Sequence, residues 1–286
     1  MYTYIIVASL LAVAMWSLVD SLSKFYIYKL GKELSSVLVL AAGIIPMLLL
    51  AIGSFSLSDI PLLLWVGIAG GAALFLGFLF VYKSVPLGGV SNSYILLEIQ
   101  PPLLILFGIL ALGEHLSFAK MFSILVIFIG ILLIILTKRL KLDKKLLPSL
   151  IGNIMWTAYW AIVILAVLYY KNFVIPLLFV RVFSALFAYA YYEITRPQRH
   201  SKIGVQKFGI AMIAIVLLAG LLDGSGNLFF SFVSFNNKVV VGSAILSMEP
   251  IIIWLVGFFA YKEKITRIQK LGFVISTIGY LLLALL

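Results

Sequence analysis

The stretch GAALFLGFLF at residues 71–80 has a counterpart in GLLDGSGNLF at residues 220–229, which lies 149 positions further along the chain. The glycines at the first and seventh positions of the two stretches coincide, as do the closing Leu-Phe pairs. Because glycine and proline fix backbone geometry, their shared spacing predicts a shared shape. The sequence therefore predicts an internal repeat. The matches continue without a gap at Pro101/Pro250, Gly108/Gly257, Ala111/Ala260, Glu114/Glu263 and Gly130/Gly279.

The composition is that of an integral membrane protein. Of the 286 residues, 64% are hydrophobic and 11% are charged, and the mean hydropathy is +1.22. The apolar runs approach or exceed the roughly 20 residues that cross a hydrocarbon core. Lipid offers no hydrogen-bond partner for an open sheet edge, so we predict an all-α membrane protein rather than a barrel. The ten predicted spans are 3–23, 35–53, 61–84, 90–112, 118–137, 147–170, 173–193, 208–235, 239–261 and 268–286.

Basic residues are concentrated in alternate loops. The loops after spans 1, 3, 5, 7 and 9 hold about 17 Lys and Arg residues, which is typical of cytoplasmic loops. The other loops hold only Lys120, Lys171 and Lys238. We therefore expect both termini to lie outside and the two five-span repeats, residues 1–140 and 146–286, to be inverted relative to each other. The formal net charge of +11 then reflects membrane orientation and not nucleic-acid binding.

Several kinds of site lack the residues that they would need. The sequence has no cysteine, which excludes disulfides and thiolate metal sites. Its two histidines, His115 and His200, fall between the predicted spans. A membrane-embedded enzyme would need a nucleophile–base pair or metal ligands within the spans. We therefore expect no enzyme activity, no metal and no cofactor.

Two further matches give the chain a family resemblance. Met15-Trp16-Ser17 in the first span of one half resembles Met155-Trp156-Thr157 in the first span of the other. The segments 100–114 and 249–263 each predict a Pro-led apolar helix that closes on a glutamate. Together with Arg181 in span 7, these features resemble the EamA-type branch of the drug/metabolite transporter superfamily. The resemblance extends over nearly the whole chain and implies ten helices in two repeats.

The resemblance also implies a function. It indicates a secondary transporter of the cell membrane that works by alternating access and commonly exports an amino acid, an amine or a drug-like compound. We expect a small-molecule substrate and membrane lipid as partners, with monomer and homodimer both open. The alternative is a scaffold or lipid-handling protein without a solute cavity. A central cavity lined by spans 1, 3, 4, 6, 8 and 9 would separate the two.

Ionisable side chains within the spans are the best indication of a site, because each costs roughly 2.5–3.5 kcal/mol or more at the bilayer centre. The predicted spans contain four acids, Asp20, Glu98, Asp223 and Glu249, and one deeply placed cation, Arg181. This excess of acid argues against a phosphorylated substrate, which would require several cations or helix N-termini. The sequence fits proton coupling through Asp223 or Glu249. It equally fits transport without ion coupling.

Three of these acids have two interpretations each. Asp223 shares a helix face with Asn227 and either lines a cavity or forms a polar contact with another helix, such as an ion pair with Arg181. Glu249 directly precedes a proline, so it either caps the resulting kink or faces the cavity. Asp20 either pairs with Lys24 or contributes to the site.

Aromatic residues accompany the acids, and in relatives the first helices of both halves line the central cavity. Rings beside carboxylates suit an organic cation. We also expect the repeated glycines to mark close helix approaches, and Glu114 and Glu263 to bond the backbone amides of the helix that follows each. The predicted substrate-binding residues are Trp16, Asp20, Tyr94, Glu98, Asn153, Trp156, Tyr159, Trp160, Arg181, Asp223, Asn227 and Glu249.

Overall fold

The long apolar runs of this chain form helices, because a segment surrounded by lipid must satisfy its backbone amides internally. The computed structural model describes residues 2–52, 60–88, 99–136, 147–200, 209–249, 251–252 and 267–285. These residues are helical with short connections and contain no strand, which confirms the all-α prediction. In chain order the helices are α1 (Tyr2–Ala42), α2 (Ile44–Ala51), α3 (Ile60–Gly88), α4 (Gln100–Leu110), α5 (Phe118–Leu136), α6 (Leu147–Tyr170), α7 (Ile175–His200), α8 (Ile210–Phe235), α9 (Val239–Leu246) and α10 (Arg267–Leu285).

The apolar helices follow the predicted spans. Three shorter apolar helices correspond to spans 4, 5 and 10, namely Gln100–Leu110, Phe118–Gly130 and Lys270–Leu283. Span 9 begins as α9, and most of its second half lies outside the described residues. Six segments are long and apolar enough to cross a membrane and correspond to spans 1, 2, 3, 6, 7 and 8: Thr3–Ser23, Phe25–Ala51, Ile60–Pro86, Leu147–Tyr170, Ile175–Thr195 and Ile210–Phe235.

The connection between the first two spans differs from the prediction. The sequence analysis places a loop there, but the chain stays helical through α1 except at Gly31, where φ is 77° and ψ is 163°. Glycine adopts this left-handed φ without the steric cost that a side chain would add. α1 then ends at Ala42, and α2 begins after Gly43. Pro46 in α2 lacks the amide that would bond the Ala42 carbonyl, which favours a break at this point.

The two halves of the chain are interleaved. α1 packs mainly on α8, α3 packs on α6 and α7, and α5 packs on α10, so the main helix contacts join the halves. The repeated glycines lie at these crossings. A Cβ at Gly71 would come within 2.7 Å of a side chain on α7, and one at Gly220 within 2.6 Å of the α1 backbone. The same holds for α5 and α10: Gly130 of α5 packs closely against α10, and Gly279 of α10 packs closely against α5. The glycine spacing that predicts close approach therefore marks contacts between the halves.

Glu114 also joins the halves, which corrects the expectation for this residue. Its carboxylate oxygens accept hydrogen bonds from the backbone amides of Val239 at 2.8 Å and Val240 at 3.2 Å. These amides begin α9 in the opposite half, whereas we expected amides of α5, the helix that follows Glu114. The first amides of α9 lack partners within their own helix and favour an anion there. Burial raises the pKa of Glu114, and the two amides and Lys238 act to lower it. Glu263 lies outside the described residues.

Candidate functional site

A cavity lies between helices of both halves. Its walls come from α1, α3, α4, α6, α8 and the segment that directly follows α9. These segments correspond to spans 1, 3, 4, 6, 8 and 9, which are the spans expected to surround a solute. The lining residues are Trp16, Val19, Asp20, Leu74, Phe78, Gln100, Trp156, Tyr159, Trp160, Asp223, Asn227 and Glu249.

Every lining position has a repeat-related position that also lines the cavity. The offset is 140 residues for the first helices of the halves and 149 residues for the others, as in the sequence repeat. The twelve residues therefore form six pairs, and the cavity lies where equivalent parts of the two halves meet. The pairs are Trp16/Trp156, Val19/Tyr159, Asp20/Trp160, Leu74/Asp223, Phe78/Asn227 and Gln100/Glu249.

The two tryptophans of the identical pair are held in the same way. Trp16 packs against Gly226 on α8, where an added Cβ would come within 2.8 Å of the indole Nε1. Trp156 packs against Gly77 on α3 even more closely. Each repeated glycine therefore makes room for the tryptophan of the opposite half. Because an interior packed this densely has little free volume, a larger residue at either glycine must displace the ring.

Aromatic rings surround these tryptophans. The ring centroids of Trp16 and Trp160 lie 6.0 Å apart, and those of Trp160 and Phe230 lie 4.6 Å apart, both in edge-to-face arrangements. The ring of Phe78 meets that of Trp156 edge to face at 5.4 Å. Edge-to-face pairs stabilise each other through their quadrupoles. The rings thus hold one another in fixed orientations along the cavity wall.

A polar network occupies the wall formed by α8. Asp223 forms an ion pair with Arg181 of α7, and the guanidinium is fully buried. Arg181 also donates hydrogen bonds to the carbonyls of Leu40 and Val39, each at 3.1 Å, where α1 ends. Its guanidinium carbon lies 5.9 Å from the centroid of the Phe78 ring. Asp223 therefore both lines the cavity and makes the ion pair, so the two interpretations of this residue are compatible.

The same network continues through α6. The Tyr159 hydroxyl donates a hydrogen bond to Asn227 Oδ1 at 2.6 Å, and Asn227 Nδ2 donates to the Asp223 carbonyl at 2.6 Å. Tyr159 and Asn227 are both buried. Buried polar groups cost least when they are fully hydrogen-bonded. This arrangement ties α6 to α8 beside the ion pair.

Asp20 and Glu249 form a second acidic group in the cavity. Asp20 lies on α1, and Glu249 lies three residues after α9 in the opposite half. Both side chains line the cavity and are half-buried. Among the cavity-lining residues that the structure describes, none is a lysine or an arginine.

Four of the twelve predicted site residues do not appear in this lining. Asn153 is buried in α6, where its Nδ2 donates to the Ser149 carbonyl at 3.5 Å. Arg181 lies behind the wall and acts on the cavity through Asp223. Tyr94 and Glu98 lie outside the described residues. The other eight predicted residues come together around the cavity.

The sequence analysis missed four lining residues: Val19, Leu74, Phe78 and Gln100. Gln100 could have been found, because it is the repeat partner of Glu249 and precedes a proline just as Glu249 does. The other three are apolar and carry no chemical signal in so apolar a chain. Only their repeat relation to predicted site residues distinguishes them.

The apolar spans define a multi-span membrane protein, and both of its halves line an internal cavity. Residues 3–136, just under half of the chain, match the model of the EamA-like transporter family. This match confirms the resemblance seen in the sequence: over these residues the chain is similar to EamA-type transporters.

A solved structure supports the fold over the whole length. The structure, described only as "Crystal structure of protein", aligns with 100% of this chain and 98% of its own, with a TM-score of 0.72 and 15% sequence identity. At this identity the likeness concerns the fold alone. No curated protein matches the sequence.

Proposed function

We propose that this transporter carries small organic cations, such as amines, amino acids bearing an ammonium group and drug-like bases, out of the cell across its membrane. The observation that carries the proposal is the lining of the central cavity, which contains tryptophan rings together with the carboxyl groups of Asp20 and Glu249. A cation over an aromatic face gains about 0.5–2 kcal/mol, with the larger values where water is excluded. Export and the cell membrane are what the family resemblance implies.

The charge around the cavity supports a cationic substrate. Arg181 balances Asp223 within the wall, so that neither contributes net charge to the solute space. The pair of Asp20 and Glu249 is then left as the charged group that a solute meets. A phosphorylated solute would face acid without a compensating cation among the described lining residues. An ammonium group would meet opposite charge and aromatic faces together.

The position of the cavity supports alternating access. Six repeat-related pairs form its wall, so each half contributes the same six positions. A change in the angle between the halves would open the cavity on one side while closing it on the other. Transporters built from inverted repeats commonly work in this manner, with the substrate held at the repeat interface.

A ligand screen on the purified protein tests the substrate class. We expect phenethylamine to raise the melting temperature, phenylalanine to raise it less, and glucose 6-phosphate to leave it unchanged. A binding titration of the best amine should show at least about tenfold weaker affinity in Trp16→Ala and Trp156→Ala, which corresponds to about 1.4 kcal/mol.

Trp65→Ala is the matched control, because Trp65 on α3 is 68% exposed on the outer surface of the bundle and does not line the cavity. Its affinity should stay at the wild-type value. Stabilisation by glucose 6-phosphate alone, or equal affinities in all three tryptophan variants, would contradict the proposed substrate class.

A further inference from the structure

An apolar groove runs along the outer surface of the bundle between α1, α2 and α8. It shares no lining residue with the central cavity. Apart from Tyr4 and Ser225, the residues that line it carry only hydrocarbon side chains. Val7 and Leu49 in its walls are 48% and 67% exposed, so the described part of the chain leaves them largely uncovered. The groove is therefore open to the hydrocarbon of the bilayer.

One end of the groove lies where helices end. Tyr4 stands near the start of α1, Leu50 near the end of α2, and Phe232 near the end of α8. From there the lining continues to Leu11 on α1 and Ser225 on α8, seven residues deeper on each helix. Seven helical residues span about 10 Å. The groove can therefore take up part of a lipid acyl chain that enters it from the membrane surface.

The same end of the groove has the features of a membrane interface. Phe173, in the connection between α6 and α7, contributes to the lining, and the centroid of its ring lies 5.7 Å from that of Phe232. Tyr4 and Tyr169 are 72% and 67% exposed. Exposed tyrosines are enriched at the level of the lipid headgroups. The headgroup of a lipid in the groove would therefore lie near the connection between α6 and α7.

This connection carries a positive charge. Lys171 lies two residues before Phe173, is exposed, and forms no ion pair with an acid among the described residues. The Asn172 side chain accepts hydrogen bonds from the amides of Val174 at 2.8 Å and Ile175 at 2.9 Å, which fixes the connection to the start of α7. One lysine near the membrane surface favours an anionic lipid about fivefold.

We propose that the groove holds one acyl chain of an anionic phospholipid whose phosphate lies beside Lys171, and that this lipid stabilises the packing of α1, α2 and α8. All bilayer chains are about as apolar as the groove, so the hydrocarbon alone does not select a lipid. The charge of Lys171 supplies the selection, and it favours a phospholipid over an apolar helix of another protein. Neither the central cavity nor its solute takes part, so the lipid site is independent of the proposed function.

Native mass spectrometry and thermal unfolding of the protein purified in neutral detergent test the groove. Phosphatidylglycerol should raise the melting temperature more than phosphatidylcholine with the same chains. Val7→Trp fills the groove from an exposed position of α1, so it should remove one bound copy of phosphatidylglycerol and most of the extra stabilisation. Val274→Trp is the matched control, because Val274 is 52% exposed on α10 and does not line the groove. Equal stabilisation by both lipids in the wild type, or an unchanged number of bound copies in Val7→Trp, would overturn the site.

Lys171→Gln tests the headgroup, and because Lys171 is exposed this change leaves the core intact. It should weaken the binding of the copy that Val7→Trp removes about fivefold and leave phosphatidylcholine binding unchanged, whereas Lys171→Arg should keep the wild-type affinity. Equal affinities in Lys171→Gln and the wild type would overturn the place of the phosphate. The same stabilisation by glycerol 3-phosphate, which has no acyl chain, would contradict a lipid in the groove. A dimer that Val7→Trp dissociates would assign the groove to a second copy of this chain and also overturn the proposal.

Discussion

The first half lines the cavity with Leu74 and Phe78 at the positions where the second half has Asp223 and Asn227. Both halves nevertheless place a tryptophan of their first helix against a glycine of the other half. The repeat therefore preserves the shape of the cavity, through small and large residues at fixed positions, while its chemistry differs between the halves.

The acids of the cavity are of two kinds, one bound to a cation in the wall and the other not equivalent between the halves. Asp223 is bound to Arg181, so its charge is used to join α7 and α8 to the end of α1. Asp20 and Glu249 come from non-equivalent positions, whose repeat partners are Trp160 and Gln100. Their presence in the same cavity is therefore not a consequence of the repeat, and these two acids give the cavity its acidity.

The largest effect is expected at the ion pair that only the second half possesses. Asp223→Asn should lower the free energy of unfolding by about 3–5 kcal/mol, because it leaves the Arg181 guanidinium buried without its counter-charge. Thermal unfolding in detergent measures this loss, and residual transport should track the amount of folded protein. Changing Arg181 to Gln in the same chain should recover part of the stability. A stable Asp223→Asn protein that cannot transport would instead make Asp223 a substrate residue.

The glycine–tryptophan contacts test what the halves share. Gly226→Leu should displace Trp16, and Gly77→Leu should displace Trp156, each with a loss of about 1–3 kcal/mol and strongly reduced transport. Uptake into proteoliposomes and melting temperature give the two readouts. Gly209→Leu is the control, because among the described residues no atom beyond those of its chain neighbours lies within 4 Å of the Cβ that it would add. Normal transport by either cavity variant would show that the matched spacing has no packing role.

The smallest effect is expected at Glu114, which links the halves away from the cavity. Glu114→Gln should cost about 1 kcal/mol, because the amide can accept through only one oxygen where the carboxylate accepts through two. The pKa of Glu114 is raised by burial in the folded protein. The contribution of Glu114 to the free energy of unfolding is therefore fully present below its ordinary pKa. This contribution is lost as the pH rises through the raised pKa of the folded protein.

Melting curves between pH 4 and pH 8 check this sign. The wild type should lose stability relative to Glu114→Gln as the pH rises. A difference between the two proteins that stays constant across the range would contradict the account of Glu114.

The sequence predicted most of the fold, because apolar run length and the spacing of glycine and proline act locally. It also found the acids, since an ionisable residue in a span is conspicuous. It did not find the partners of Glu114, because which amides a carboxylate reaches depends on packing between segments about 125 residues apart.

Accessibility of the cavity from each side tests the central claim that the two halves move around a shared site. The chain has no cysteine, so Gln100→Cys introduces a single thiol at a half-buried lining position. A membrane-impermeant maleimide should label it from either side of a vesicle in separate experiments, and benzyltrimethylammonium should slow both reactions. Ala12→Cys, at a fully buried position of α1 outside the cavity, should stay unlabelled. Labelling of Gln100→Cys from one side only would contradict alternating access.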